Sequence, residues 1–337
     1  MLHDSPRNPQ DLSTGRFKIL LSCPNDGQSN NYIINALQDL GHEVFYVDHR
    51  RDLKYAMQYL PDLMKFVNPE VFLCLYLVPG HTYTSEYINK LKAKFPSVKY
   101  CSWIFDTTMQ GKYCDENPEF INLIKSYDYF FTVARSQVES FRKQGVNAYF
   151  AQEGFDPYTL CLNASVQDID VSFIGQIGHP DVHQERAPLL TKIVKQFPKT
   201  MILGPFYKMP DELIPFHAGR PTFNDVEHSK IVGRTKVNIG HSGWTHLDGY
   251  FSARNYRIMG SGGFLLANRS KNIEEFFAEE KEIVLYDNPK ECVEKIAYYL
   301  KHDSERSTIA KAGRKRVFSD YTFMNTLTKI LKTINES

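Results

Sequence analysis

Short, almost uninterrupted apolar runs alternate with helix-length segments from Arg16 to the end of the chain, and this rhythm limits the fold more than any other feature. Residues 17–22 (FKILLS), 43–48 (EVFYVD), 71–77 (VFLCLYL), 98–105 (VKYCSWIF), 127–133 (YDYFFTV) and 148–151 read as strands. Ile33, Ala36, Leu37 and Leu40 recur at helical spacing before Gly41 stops the helix. A strand with one face in water alternates polar and apolar residues, whereas one apolar throughout is buried on both faces. A parallel sheet covered by helices provides that burial. Residues 16–157 therefore read as one doubly wound α/β domain.

After the turn-rich 154–157 and the polar 163–168, the rhythm restarts at 170–174 (DVSFI). It continues through 200–203, 236–239, 264–267 and 283–286, so a second doubly wound domain is expected over 158–318. Val293, Ile296, Ala297 and Leu300 mark an amphipathic helix, and two more helices fit between Ser304 and Asn335. Residues 319–337 are expected to form a C-terminal helix that packs back on the first domain. A chain of 337 residues is long enough for two cores. Residues 1–15 are polar and contain proline, which reads as a loose tail without a signal-peptide core. No segment approaches about twenty apolar residues, so no membrane span is expected.

Forty basic and thirty-nine acidic side chains leave a formal charge of +1, which excludes a global field toward nucleic acid or an acidic membrane. The local run Lys311, Arg314, Lys315 and Arg316 reads as a solvated helix face. Six scattered cysteines form no CxxC pair, which suits a reducing cytoplasm and gives no zinc site. GxSxG, HExxH, GxGxxG and GxxxxGK[ST] are all missing, so serine hydrolysis, metal hydrolysis, the dinucleotide fingerprint and the P-loop lack support.

In open parallel sheets ligands bind beyond the carboxyl ends of the strands. Residues 252–266 (SARNYRIMGSGGFLL) follow one such end, and a helix there puts Arg254 and Arg257 on one face, as a fork for an anion. Gly260, Gly262 and Gly263 then end the helix. The alternative is a surface helix with two solvated arginines and an ordinary cap. Residues 174–180 (IGQIGHP) supply Gly175, Gln176 and Gly178 after a strand, with Arg186 entering the next helix. They either approach a ligand closely or merely form the turn. Gly27, in 22–30 (SCPNDGQSN), is either part of an anion-binding helix start or of a plain connection. Asp106 closes the strand WIFD as either a general base for an acceptor hydroxyl or a turn acid. His81, His241 and His246 are further acid, base or donor candidates.

The second half resembles the glycosyltransferases of the spore-maturation, CgeB-like type. The likeness lies in DVSFIGQIGHP with Glu185 and Arg186, in Arg254 with Gly262, Gly263 and FLL, and in the stretch IEEFFAEEKEIVLYDNPKECVEKIAYYLKHDSERSTIAKAGRKRV. KILLSCPNDG, LQDLGHEVFYVD, WIFDTT and YDYFFTVARSQVESFRKQGV resemble the acceptor-side domain of such enzymes. The resemblance implies the GT-B fold, two Rossmann-like domains facing a cleft, and a nucleotide-sugar donor held by the second domain. It implies donor contacts from Gly175, Gln176, Gly178, Arg186, Phe223, Arg257, Gly262 and Gly263, with Arg254 on the diphosphate. Asp106 would be the acceptor-side base, with Gly27, His81 and His241 nearby on loops. Relatives carry a ribose-binding acid where this chain has Arg257, and a second acid eight residues earlier, where it has Gly249 beside Asp248. The reaction implied is metal-independent sugar transfer without a cofactor, the nucleotide sugar serving as co-substrate. The acceptor is open among a glycan, a protein, a small molecule and a hydroxylated DNA base. A non-catalytic nucleotide-sugar binder is the rival from another class.

Overall fold

The computed structural model describes residues 15–24, 29–109, 112–158, 166–177, 184–206, 209–219 and 225–336. They fall into two compact units, one of residues up to Gly154 with those from Phe323 onward, the other Phe155–Thr322. The divisions expected after 157 and 318 thus lie a few residues away. Phe155 bridges to Thr322 and packs edge-on against Phe318 at 5.1 Å, which holds both ends of the segment in the second unit.

In the first unit, β1 (Lys18–Ser22), β2 (Glu43–Val47), β3 (Val71–Leu75), β4 (Lys99–Trp103), β7 (Tyr129–Thr132) and β8 (Ala148–Phe150) form one sheet. Its order is β2-β1-β3-β4-β7-β8 and every pair is parallel. The five residues of β3 are all buried, as its unbroken apolar sequence requires. β3 stops at Leu75 rather than Leu77 because Tyr76 takes a left-handed backbone, φ 56°, which ends the extended run. Helices α1 (Ser29–Asp39), α2 (Leu53–Val67), α3 (Ser85–Lys94), α4 (Pro118–Ile124) and α5 (Arg135–Lys143) connect the strands. A short antiparallel ribbon of β5 (Thr108–Met109) and β6 (Lys112–Tyr113), which no sequence pattern announced, follows β4.

The second unit repeats the plan. Strands β9 (Ile169–Ile174), β10 (Thr200–Leu203), β11 (Thr235–Gly240), β12 (Leu265–Asn268) and β13 (Val284–Tyr286) run parallel in the order β10-β9-β11-β12-β13. Helices α6 (Arg186–Gln196), α7 (Asp225–Arg234), α8 (Ala253–Gly260), α9 (Pro289–Tyr299) and α10 (Asp303–Asp320) belong to it. Asn288 starts α9 by accepting from the backbone N–H groups of Lys290 and Glu291, with Pro289 in the first turn where its missing N–H costs nothing.

The last helix, α11 (Phe323–Glu336), returns to the first unit. There Phe323 stacks on Tyr32 at 6.2 Å and the Lys99 ammonium donates to the Ile334 carbonyl at 2.5 Å. Both sheets wind outward in two directions from their first strand. The winding reverses between β1 and β3 and between β9 and β11, and a parallel sheet opens a ligand crevice at such a reversal, beyond the carboxyl ends.

Candidate functional site

The reversal between β9 and β11 carries a cluster of five side chains and carbonyls. Arg254, in the first turn of α8, donates from Nε to the Ile174 carbonyl that ends β9. Its Nη1 donates to the His241 carbonyl just after β11, at 3.1 Å. Arg186, the first residue of α6, donates from Nη2 to the same His241 carbonyl at 2.7 Å and from Nη1 to the Gln176 carbonyl at 3.0 Å. Both guanidiniums lie over the Phe173 ring, at 5.7 Å for Arg186 and 5.1 Å for Arg254. Gly175 is needed here for room. A Cβ on it would stand 2.2 Å from Arg254 Nη2 and 2.7 Å from its Cζ.

The charge in this cluster is one-sided. Neither Arg186 nor Arg254 forms an ion pair with a described carboxylate, and the exposed Glu185 comes only within 3.9 Å of His241 Nε2. Burial, then the neighbouring Arg254 charge, pushes Arg186 down to about 8, while burial and the Arg257 charge push Arg254 to about 10 against the pull of Tyr250. The depression reports burial first and the neighbouring positive charge second, and a guanidinium still stays charged at neutral pH. Burial and the two arginines push the His241 imidazole down to about 3, leaving it neutral. Its Nδ1 and the Arg186 Nε are buried without a hydrogen-bond partner among the described residues.

The backbone that receives the arginines is braced from below. Asn268, the last residue of β12, accepts from the Ser242 N–H and donates to the Ser242 carbonyl, both at 2.8 Å. The Tyr286 hydroxyl donates to the Gly240 carbonyl at 3.5 Å. Sequence reasoning missed Asn268, whose place is set by strand register: β11 and β12 pair Gly240 with Ala267, so the next residue emerges beside His241 at the carboxyl edge.

Sequence reasoning paired Arg254 with Arg257. In the structure Arg254 meets Arg186 instead, through the shared carbonyl, while Arg257 sits half-buried one turn along α8. Gly262 and Gly263 stand at the opposite end of α8 from Arg254. Gly262 has φ 80°, and the bonds Gly262 N–H to Met259 O (3.0 Å) and Gly263 N–H to Ile258 O (2.9 Å) form a Schellman cap. A Cβ on Gly263 would meet Val232 Cγ1 at 2.3 Å, so this glycine lets α7 and α8 close together. Gly27, Gly178 and Phe223 lie outside the described residues.

His81 and Asp106 belong to the first unit. His81 is exposed on a turn where its N–H donates to the Val78 carbonyl at 2.9 Å. Asp106 retains solvent contact, and desolvation by its surroundings raises its carboxyl pKa against the opposing charge of Arg50. Among the described residues no group of three His, Cys, Asp or Glu side chains is arranged to hold a metal ion, and no described helix is long and apolar enough to cross a membrane.

Two parallel-sheet α/β units of this kind constitute the GT-B fold of glycosyltransferases. Residues 186–332 match the family model described as glycosyl transferase-like. HepE of Anabaena, solved in complex with UDP, superposes with a TM-score of 0.64 at 11% identity over 95% of this chain and 100% of its own. A glycosyltransferase from Rickettsia africae ESF-5 gives 0.63 at 12% identity over 96% and 98%. The sucrose-phosphate synthase of Thermosynechococcus elongatus gives 0.64 at 11% identity over 94% and 98%. No curated protein sequence matches the chain.

Proposed function

We propose that the protein is a CgeB-like glycosyltransferase that moves a sugar from a nucleotide-sugar donor to an acceptor hydroxyl, without a metal ion, in the cytoplasm. The observation that carries this reading is the pair of guanidiniums, Arg186 and Arg254, gathered on one carbonyl at the sheet's winding reversal with no described carboxylate to neutralise them. A diphosphate is the anion such a pair suits. The complexes of HepE with UDP and with UDP-glucose support a uridine diphosphate donor. The five cysteines among the described residues are buried and form no disulfide with one another, which supports a reducing compartment.

Arg186 has both terminal nitrogens committed to carbonyls, so its part is to fix the His241 backbone and hold positive charge close by. Arg254 keeps Nη2 for the diphosphate oxygens. As the bond from the sugar's anomeric carbon to the diphosphate breaks, charge grows on the leaving oxygen. A preorganised cation offsets that charge at a cost already met in folding. The Asp106 carboxylate takes the acceptor's proton, and a raised pKa brings it nearer the working range of a general base.

The test is release of UDP from UDP-glucose, with and without acceptor. The wild-type chain turns the donor over and Arg254→Ala does not, while both keep the same circular dichroism. A chelator leaves the rate unchanged. Loss of activity restored by magnesium or manganese would remove the metal-independent part of the reading, and nucleotide binding without any turnover would favour a non-catalytic binder.

A further inference from the structure

The first unit has its own winding reversal, between β1 and β3, and the residue that leaves β3 there is strained. Tyr76 holds φ 56°, a left-handed conformation that a bulky side chain adopts at a cost and that clusters where a fold serves a ligand. Its ring lies 4.8 Å from that of Phe105, inclined by 56°. Phe105 in turn meets Trp103 edge-on at 4.5 Å, and the Trp103 indole N–H donates to the Ala151 carbonyl at 3.2 Å. Leu75 pairs with Trp103 across β3 and β4, so the chains leaving these strands begin side by side. Asp106 follows Phe105 immediately and is exposed. The segment is braced behind it, since Gln137 donates to the Thr107 carbonyl at 3.0 Å and to Asp115 Oδ1 at 2.9 Å. Thr107 Oγ1 is buried without a partner among the described residues.

The half-buried Tyr76 ring, braced from behind by the buried Phe105 and Trp103 and followed across the strand ends by an exposed carboxylate, matches a pyranose. The sugar's C–H face packs on an aromatic surface, and its hydroxyl edge reaches a hydrogen-bond acceptor. The local charges, one Arg50 against Asp48 and Asp106, leave no positive excess, which does not suit the phosphate backbone of a nucleic acid. We propose that Tyr76, its ring propped by the buried Phe105, forms an aromatic shelf that holds a neutral sugar as the acceptor, with one of its hydroxyls at Asp106. This rests on the transferase reading above. In the transfer the hydroxyl proton passes to the Asp106 carboxylate and its oxygen bonds to the donor's anomeric carbon. The bond from that carbon to the diphosphate breaks with its electron pair on the diphosphate.

The experiment titrates methyl α- and β-glucopyranoside, methyl β-galactopyranoside and methyl N-acetyl-β-glucosaminide into the full chain by saturation-transfer NMR, with UDP affinity measured separately by calorimetry. Tyr76→Gly and Tyr76→Asn both tolerate the left-handed backbone while removing the shelf, and Tyr76→Trp keeps an aromatic face. At least one glycoside binds the wild type. Its affinity falls about tenfold in the Gly and Asn variants and is kept by Trp, while UDP affinity is unchanged throughout. Glycoside binding indifferent to Tyr76→Gly and Tyr76→Asn would overturn the shelf. So would UDP binding with no glycoside bound, or 5-hydroxymethylcytidine bound in place of the glycosides. Tyr76-dependent glycoside binding with no UDP binding would leave the shelf standing and sink the transferase reading.

Discussion

Replacing Gly175 by alanine tests whether the Arg254 guanidinium lies where the site needs it. The new methyl carbon would sit 2.2 Å from Nη2, 2.7 Å from Cζ and 2.9 Å from Nε, so the methyl and the guanidinium cannot both keep their places. Nor can the guanidinium move freely. It is held by the Ile174 and His241 carbonyls and lies over Phe173. Overpacking of this kind costs about 1–3 kcal/mol, or a melting point lowered by about 3–9 °C at roughly 3 °C per kcal/mol. The decisive comparison is the double variant. Once Arg254→Ala has removed the obstacle, Gly175→Ala has nothing left to strike, so the pair should be no less stable than Arg254→Ala alone. The coupling in the cycle should therefore match the cost of the single Gly175 change, well outside the roughly 0.3–0.5 kcal/mol expected of independent sites. Melting curves for the four proteins supply the cycle. Additive losses would refute the contact and, with it, this placement of Arg254.

Acid should destabilise the fold through His49, which is fully buried. Burial, with help from Arg50, pushes its pKa from the ordinary 6.5 to about 4. The native imidazole is neutral and the unfolded one takes a proton below about pH 6.5, so stability is complete above that pH and falls as pH drops toward 4. The loss is roughly 3 kcal/mol at most, and a His49→Gln variant with an equally steep urea-midpoint profile from pH 7 to 4 would argue against it. Asn268→Ala removes both bonds to the buried Ser242 backbone and should weaken UDP binding about tenfold, with the two orphaned groups costing about 1–3 kcal/mol or more of stability. An unchanged UDP titration would detach Asn268 from the site. Arg257→Glu reverses the charge at the position where the resemblance leads one to expect a ribose-binding acid. If Arg257 faces the donor, nucleotide affinity must change, and an identical titration would place it elsewhere.

The α/β architecture was legible because burial on both faces writes itself into residues such as Val71–Leu75, where no polar residue interrupts the run. Strand ends were less legible. Tyr76 has a sequence context that reads as continuing strand, and only its left-handed backbone cuts β3 short. The arginine cluster was half visible. Glycines and arginines after strands could be picked out by the rule that ligands gather at carboxyl ends, and Gly175, Gln176, Arg186, His241 and Arg254 do converge there. Their partners could not be read, because the contact that matters runs through the main-chain oxygen of His241, and a carbonyl carries no sequence identity. The same holds for Asn268, whose use depends on the register that sets Gly240 beside Ala267.

The central claim is that Arg254 serves a nucleotide's diphosphate, and calorimetric titration of UDP, GDP, ADP and CMP into the wild type and Arg254→Ala measures it directly. One nucleoside diphosphate, with UDP expected, should bind the wild type and lose at least tenfold in affinity, about 1.4 kcal/mol, when the guanidinium is removed. Binding of none of them, or equal affinity in the two proteins, would contradict the account.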